Sequence, residues 1–162
     1  MYNVLFVCTG NICRSPMAEN ILKNLIFREN LDSKIKVISA GLGAMPGYPA
    51  ADNARIICER NGLNMAGHRA RGIDLNLIKK ADIILCLASQ HHSDLKQIFP
   101  QYDHKIFTLR GFMNDHSPSE TIRDPYGRSL EMYQKTFTLI QSEIARIWPE
   151  LYNRALEKKD PS

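Results

Sequence analysis

Short apolar runs alternate with helical segments along this chain, and that alternation leaves few folds open to it. Val4–Val7 and Ile83–Leu87 read as buried strands, and Ile35–Ser39 and Lys105–Leu109 complete a set of four. Ala40-Gly41 closes the second run. Between and after them lie helical patterns. Ser15 can cap a helix to about Arg28, Pro16 suits its first turn, and Ile21, Leu22, Leu25 and Ile26 form its apolar face. Ala50–Arg60 is ended by Asn61-Gly62, Asp74 can cap a short helix Leu75–Lys80, and Ser89–Ile98 stops before Pro100. A last helix runs from Leu130 to about Leu151, with Tyr133, Phe137, Ile140, Ile144 and Ile147 on one side and Pro149 expected to bend its final turn. Strands separated by helices make βαβ units, hence an α/β fold with a parallel sheet covered on both faces. In such sheets ligands sit beyond the carboxyl ends of the strands, so the loop after the first strand is the first place to look.

That loop reads Cys8-Thr9-Gly10-Asn11-Ile12-Cys13-Arg14-Ser15, followed by Pro16. It joins a strand directly to a helix N-terminus, and Cys8 and Arg14 have the C-x5-R spacing. That is enough backbone to wind successive N–H groups around one tetrahedral oxyanion, with the helix dipole favouring a dianion at the centre. Gly10 allows positive φ or a close backbone approach, and Asn11 tolerates a left-handed conformation. Arg14 supplies a planar fork for two phosphate oxygens. The same positive surroundings favour the thiolate of Cys8, placed for in-line attack on phosphorus, and Ser15 can donate its hydroxyl to the sulfur. The competing reading, that Cys8 merely ends a buried strand, leaves the company of Gly, Asn, Arg and Ser unexplained. The loop lacks the Lys-Ser/Thr ending of a nucleotide-binding Walker motif.

Thiol attack also needs an acid for the leaving group and a base for the hydrolytic water. The candidate is Asp124, in Arg123-Asp124-Pro125-Tyr126-Gly127, where Pro125 favours extended backbone at Asp124 and Gly127 allows a turn. A plain turn aspartate is the rival reading of these residues by themselves.

Composition narrows the classes. The 162 residues suit one domain, 1–162. The net charge is +4 and the pI about 8.9, but Lys and Arg are mixed with acids and no basic stripe supports nucleic-acid binding. No run approaches the roughly 20 apolar residues of a membrane span, and the N-terminus lacks the basic region of a signal peptide, so a cytoplasmic protein is expected. The four cysteines, Cys8, Cys13, Cys58 and Cys86, form no C-x-x-C pair, and His91-His92 lie far from Cys8 and Cys13 in sequence. A disulfide framework and a zinc site are therefore not expected.

Val7 to Glu19 together with Asp124-Pro125-Tyr126-Gly127 closely resemble the low-molecular-weight protein tyrosine phosphatases. Ser39-Ala40-Gly41, His68-Arg69-Ala70-Arg71 and the strand around Cys86 match more weakly, so the resemblance covers nearly the whole chain. It implies three α/β/α layers around a four-stranded parallel sheet of order 2-1-3-4. It implies Cys8 as nucleophile, Arg14 as phosphate binder and Asp124 as acid and base, acting through a phosphocysteine with no metal or cofactor. Thr9, Gly10, Asn11, Ile12, Cys13 and Ser15 would surround the phosphate. Asn11, Ser15, Ser39 and His68 match a hydrogen-bond network beneath the loop, and Cys13 matches a cysteine able to trap oxidised Cys8 as a disulfide.

By the same analogy Ile12 and Tyr126 flank the mouth and form a slot for a flat phosphotyrosine ring, with Met45 or Tyr48 as candidates to complete it. The expected partner is a phosphotyrosine protein, a tyrosine kinase being one such candidate. Protein-arginine phosphatases share the loop but carry threonine where this chain has Ile12. Thioredoxin-linked arsenate reductases need two further cysteines close together, whereas only Cys86 lies in the relevant stretch. A non-catalytic phospho-binding module could dispense with Cys8 or Asp124, and both are present.

Overall fold

The computed structural model describes residues 1–115 and 119–159. Four strands, β1 (Tyr2–Cys8), β2 (Ile35–Gly41), β3 (Ile83–Cys86) and β4 (Ile106–Thr108), form one sheet in the order β2-β1-β3-β4, every pairing parallel. Around it pack α1 (Arg14–Arg28), α2 (Asp52–Arg60), α3 (Leu75–Lys80), α4 (Ser89–Ile98) and α5 (Leu130–Glu157).

The two-residue period of β1 sorts its side chains between two cores. Val4, Phe6 and Cys8 face α1, α2 and α5, where Met17, Leu22, Ile57, Phe137 and Ile144 close a large apolar cluster. Leu5 and Val7 face the other way and meet Ile84 and Cys86 of β3, Ile78 of α3 and Leu95 of α4. These two cores make the three layers that the pattern of short apolar runs implies.

Element ends differ from expectation for local reasons. The α1 N-cap is Cys13, not Ser15; Ser15 lies inside the helix, its hydroxyl turned to the loop. Lys105 ends a 3-10 turn, Pro100–Lys105, rather than opening β4. Asp74 caps α3 as expected, accepting from Leu77 N at 2.8 Å. Asn61 ends α2 and Gly62 turns away with φ 76°. Helix α5 does not finish near Leu151 but continues through Pro149 to Glu157. Leu151 and Ala155 are buried, so the extra turns are held by apolar contact. Just beyond, Lys158 Nζ binds both oxygens of Asp82 and the carbonyl of Met1, tying the basic tail to the start of the sheet.

The register aligns Cys8 with Gly41 at the carboxyl end of the sheet. The chain leaving β2 is stitched to the chain leaving β1, Leu42 N donating to Cys8 O at 3.0 Å and Gly43 N to Thr9 O at 2.9 Å. A Cβ on Gly41 would lie 2.4 Å from Thr9 O, so glycine is needed there for close approach. Gly41→Ala is expected to destabilise the fold by about 1–3 kcal/mol in urea unfolding, because strand and loop must separate. Gly67→Ala, whose added Cβ meets nothing within 4 Å, is the control and should stay within about 0.5 kcal/mol.

Candidate active site

Cys8 ends β1 and is buried at the base of a cleft of about 190 Å³. The cleft walls are Thr9, Gly10, Ile12, Cys13 and Arg14 from the loop, with Asp124 and Tyr126 opposite. The sulfur receives Asn11 N–H at 3.3 Å and lies 2.8 Å from Ser15 Oγ. Met45 and Tyr48 are exposed and do not line this cleft, so its walls are completed without them.

Asn11 adopts φ 55°, the left-handed conformation expected of this loop. Gly10 does not share it, and a Cβ there would make ordinary contact with Ile12. Asn11 is fully buried, and its side chain sets the polarity of everything beneath the loop. Its Oδ1 accepts Arg71 N–H at 3.0 Å, which fixes the amide orientation. Its Nδ2 then donates to Ser39 Oγ at 2.8 Å and Ser15 Oγ at 2.9 Å. Ser39 spends its own proton on Glu19 Oε2 at 2.5 Å. Ser15 accepts from Asn11 and has a proton to offer Cys8 Sγ whenever the sulfur is a thiolate, which can only accept. A hydroxyl aimed at the sulfur stabilises the thiolate both as attacking group and as leaving group. His68 Nε2 lies 2.7 Å from Asn11 O and must donate, since a carbonyl only accepts. The expected set Asn11, Ser15, Ser39 and His68 thus comes together.

Glu19 was missed as a member of that network. Its position one turn after Ser15 on α1 is the sequence feature that could have revealed it. Its carboxylate is buried, takes Ser39 on one oxygen and receives Lys23 Nζ at 2.5 Å on the other. Behind this network opens a larger polar cavity, about 340 Å³, lined by Glu19, Ser39, His68 and Arg71 among others. It contains neither Cys8 nor Arg14, both of which line the smaller cleft.

Arg14 is buried and held from the far side, NH1 donating to Ile122 O at 2.9 Å. Its NH2 lies 3.5 Å from Asp124 Oδ2, while its buried Nε–H has no protein partner. Nε and NH2 share one edge of the guanidinium, which Asp124 approaches at NH2 only, and such an edge suits two oxygens of a tetrahedral oxyanion. Asp124 is half exposed and its Oδ1 accepts Tyr126 N–H at 3.1 Å, a turn that lifts Tyr126 outward.

Cys13 sits on the same loop with a different character. Burial pushes its thiol up to about 11, against a smaller lowering from the hydrogen bond to Tyr133 OH at 3.3 Å. Burial also pushes Cys58 up to about 12 and raises Cys86. Cys58 and Cys86 lie in the two different cores, so they are not a pair. Among the described residues no cluster of three or more His, Cys, Asp or Glu is placed to hold a metal, and no helix is long and apolar enough to cross a membrane.

The family model described as low molecular weight phosphotyrosine protein phosphatase matches residues 3–160. The chain is 36% identical over 143 residues to the low molecular weight protein-tyrosine-phosphatase Ptp of Acinetobacter johnsonii, covering 88% of this chain and 93% of the relative. It is 34% identical over 151 residues to Wzb of Escherichia coli K12, covering 93% and 95%. Among solved structures, the low molecular weight protein tyrosine phosphatase of T. tengcongensis superposes with TM-score 0.86 at 35% identity, covering 93% of this chain and 99% of that one. The YwlE arginine phosphatase of Geobacillus stearothermophilus superposes with TM-score 0.86 at 32% identity over 100% of both chains. A cysteine–arginine oxyanion loop, a facing aspartate and these likenesses over nearly the whole length have one common reading: the chain belongs to the low molecular weight phosphotyrosine protein phosphatase family.

Proposed function

We propose that this chain hydrolyses phosphotyrosine in proteins through a phosphocysteine on Cys8. The observation that carries the reading is the sulfur at the cleft base, beside Ser15 Oγ and Asn11 N–H, with Arg14 and the carboxyl of Asp124 on the same cleft. The phosphoryl group takes two oxygens to Arg14 Nε and NH2 and the rest to the loop amides. The Cys8 thiolate attacks phosphorus, the S–P bond forms, and the P–O bond to the tyrosine ring breaks. Asp124 gives its proton to the departing phenolate oxygen. In the second step Asp124 takes a proton from water, the water oxygen bonds to phosphorus, and the S–P bond breaks. The thiolate is restored under the Ser15 hydroxyl and inorganic phosphate leaves.

The slot supports the tyrosine assignment. Ile12 is an apolar wall and Tyr126 an exposed ring on opposite loops of one cleft, suited to the two faces of an aromatic ring. The partner class is a phosphotyrosine protein, for which a tyrosine kinase is a natural candidate, acting in the cytoplasm. The arginine reading is the rival, favoured by the likeness to the Geobacillus arginine phosphatase over the full length of both chains. Ile12 argues against it, since it offers no hydroxyl to a guanidinium or to the hydrolytic water. A redox guard is a further part of the proposal. A peroxide would oxidise the Cys8 sulfur to a sulfenic acid, and the Cys13 thiolate would attack that sulfur, forming the S–S bond as the S–O bond breaks and water leaves. Because burial holds the Cys13 thiol up to about 11, trapping should quicken as pH rises towards 11.

Purified protein is expected to release phosphate from a phosphotyrosine peptide without added metal, and Cys8→Ser should abolish it. Metal-dependent turnover that survives Cys8→Ser would sink the mechanism. Asp124→Asn should cost about 10²- to 10⁴-fold in kcat with poor leaving groups and much less with good ones, read from a series of substituted aryl phosphates. An equal loss across the series removes the acid role. A phosphotyrosine and a phosphoarginine peptide assayed side by side should favour phosphotyrosine; strong preference for phosphoarginine reverses the use made of Ile12.

A further inference from the structure

His91 lies on α4, far in sequence from the loop, and nothing in the mechanism above uses it. It is 5% exposed, and its Nε2 stands 2.9 Å from Thr9 Oγ1. Its other nitrogen, Nδ1, is buried without a partner. The topology explains the meeting. In the order β2-β1-β3-β4 the strand order reverses between β1 and β3, and the chain leaves the two strands towards opposite layers. Thr9 follows β1 and His91 sits in the first turn after β3, so the two face each other across the switch-point crevice.

We propose that His91 is a positioning residue that turns the Thr9 hydroxyl into a hydrogen-bond donor directed at an anion in the cleft, an inference that rests on the phosphatase reading of that cleft. The neutral ring has one N–H and one lone pair. A buried N–H left unpaired is the rarer and costlier defect, so the proton sits on Nε2 and the bare lone pair on Nδ1. Nε2–H then donates to Thr9 Oγ1, and the hydroxyl proton of Thr9 is free to point elsewhere. Thr9 is exposed and lines the same cleft as Cys8. Its backbone carbonyl is already pinned by Gly43 N–H, so the residue has little freedom to turn away.

The charge state agrees. Burial first, and the Arg14 guanidinium second, hold the His91 pKa down at about 4, while Asp94 and Asp124 pull the other way. The ring is therefore neutral near pH 7. A second proton would go on Nδ1, placing a buried charge with no acceptor on the side of the ring away from Thr9.

The test uses the full chain. His91→Phe keeps the ring volume and removes the donor; His91→Gln keeps a donor of similar reach; Thr9→Val removes the hydroxyl. Binding of inorganic phosphate is measured by calorimetry, kcat and KM on an aryl phosphate, and the imidazole protonation by ¹⁵N NMR at pH 7. Phosphate binding should weaken about five-fold in His91→Phe and in Thr9→Val, the size of one neutral hydrogen bond. The double variant should be no weaker than either single one, and His91→Gln should recover most of the loss. The wild-type spectrum should show His91 neutral with its proton on Nε2. Single losses that multiply in the double variant, wild-type phosphate affinity in Thr9→Val, or a proton on Nδ1 would each overturn the proposal. If His91→Phe does not fold, the Thr9→Val affinity and the wild-type spectrum still decide. A wild-type chain that binds phosphate but turns over neither phosphopeptide would instead defeat the phosphatase reading, since the phosphate and NMR readouts do not depend on turnover.

Discussion

Everything at the cleft depends on one buried asparagine in a left-handed conformation. All the polar groups of Asn11 are occupied: its N–H on Cys8 Sγ, its carbonyl under His68, its Oδ1 under Arg71 N–H, and both Nδ2 hydrogens on Ser15 and Ser39. The backbone would prefer another region for most residues, by about 1–3 kcal/mol, and five hydrogen bonds from four directions hold it there. Glycine would keep the dihedral and lose the side-chain bonds. Aspartate would tolerate the dihedral but turn two donors into acceptors facing two serines. The consequence runs upward. With the amide orientation fixed, Ser15 Oγ accepts from Asn11 and is held within hydrogen-bond distance of Cys8 Sγ. Glu19 anchors the same chain from below, so a buried carboxylate is tied to the Ser15 hydroxyl through three hydrogen bonds.

The two loops that face each other across the cleft are not independent. Leu87 N donates to Val7 O beside the phosphate loop, and Ile122 N donates to Leu87 O. Ile122 in turn accepts from Arg14 NH1, while Ser89 N donates to Thr121 Oγ1. The turn between β3 and α4 therefore braces the loop that carries Arg14 and the segment that leads to Asp124. Arg14 is gripped at NH1 by the segment that delivers Asp124, which leaves Nε and NH2 facing the cleft. Guanidinium orientation and aspartate position are thus set by one short run of backbone, and a shift in either loop moves both.

Much of this was legible in the sequence, and the reasons for the exceptions are physical. Strand and helix order followed from the alternation of apolar runs, because each run is too short for a buried helix and is flanked by turn chemistry. The C-x5-R loop was legible because its residue types are needed within one continuous stretch. Element ends were less so. Ser15 carries the mark of an N-cap, yet it is drawn inside the helix because Cys8 and Asn11 compete for its hydroxyl. The last helix outran its proline because Leu151 and Ala155 are buried beyond it. Glu19 and His91 were hidden for different reasons. Glu19 looks like any charged residue on a helix, and its partner Ser39 is on another strand. His91 meets Thr9 across 82 residues, through a crossover that local pattern does not encode. The reach of the basic tail was not legible either: Lys158 binds Asp82, midway along the chain, and the carbonyl of Met1 at its start.

The four cysteines show how little the residue type decides. Cys58 and Cys86 are packed in apolar cores on opposite sides of the sheet, and burial raises both thiols. Cys13 lines the same cleft as Cys8, but its polar neighbour is Tyr133 OH and its thiol is pushed up to about 11. Cys8 is buried like the others and differs in what meets its sulfur: a backbone N–H from a left-handed residue and the hydroxyl of Ser15. Burial alone raises a thiol, as it does that of Cys86. Two polar groups converging on one sulfur at the base of an arginine-edged cleft set it apart, and both trace back to the orientation of Asn11.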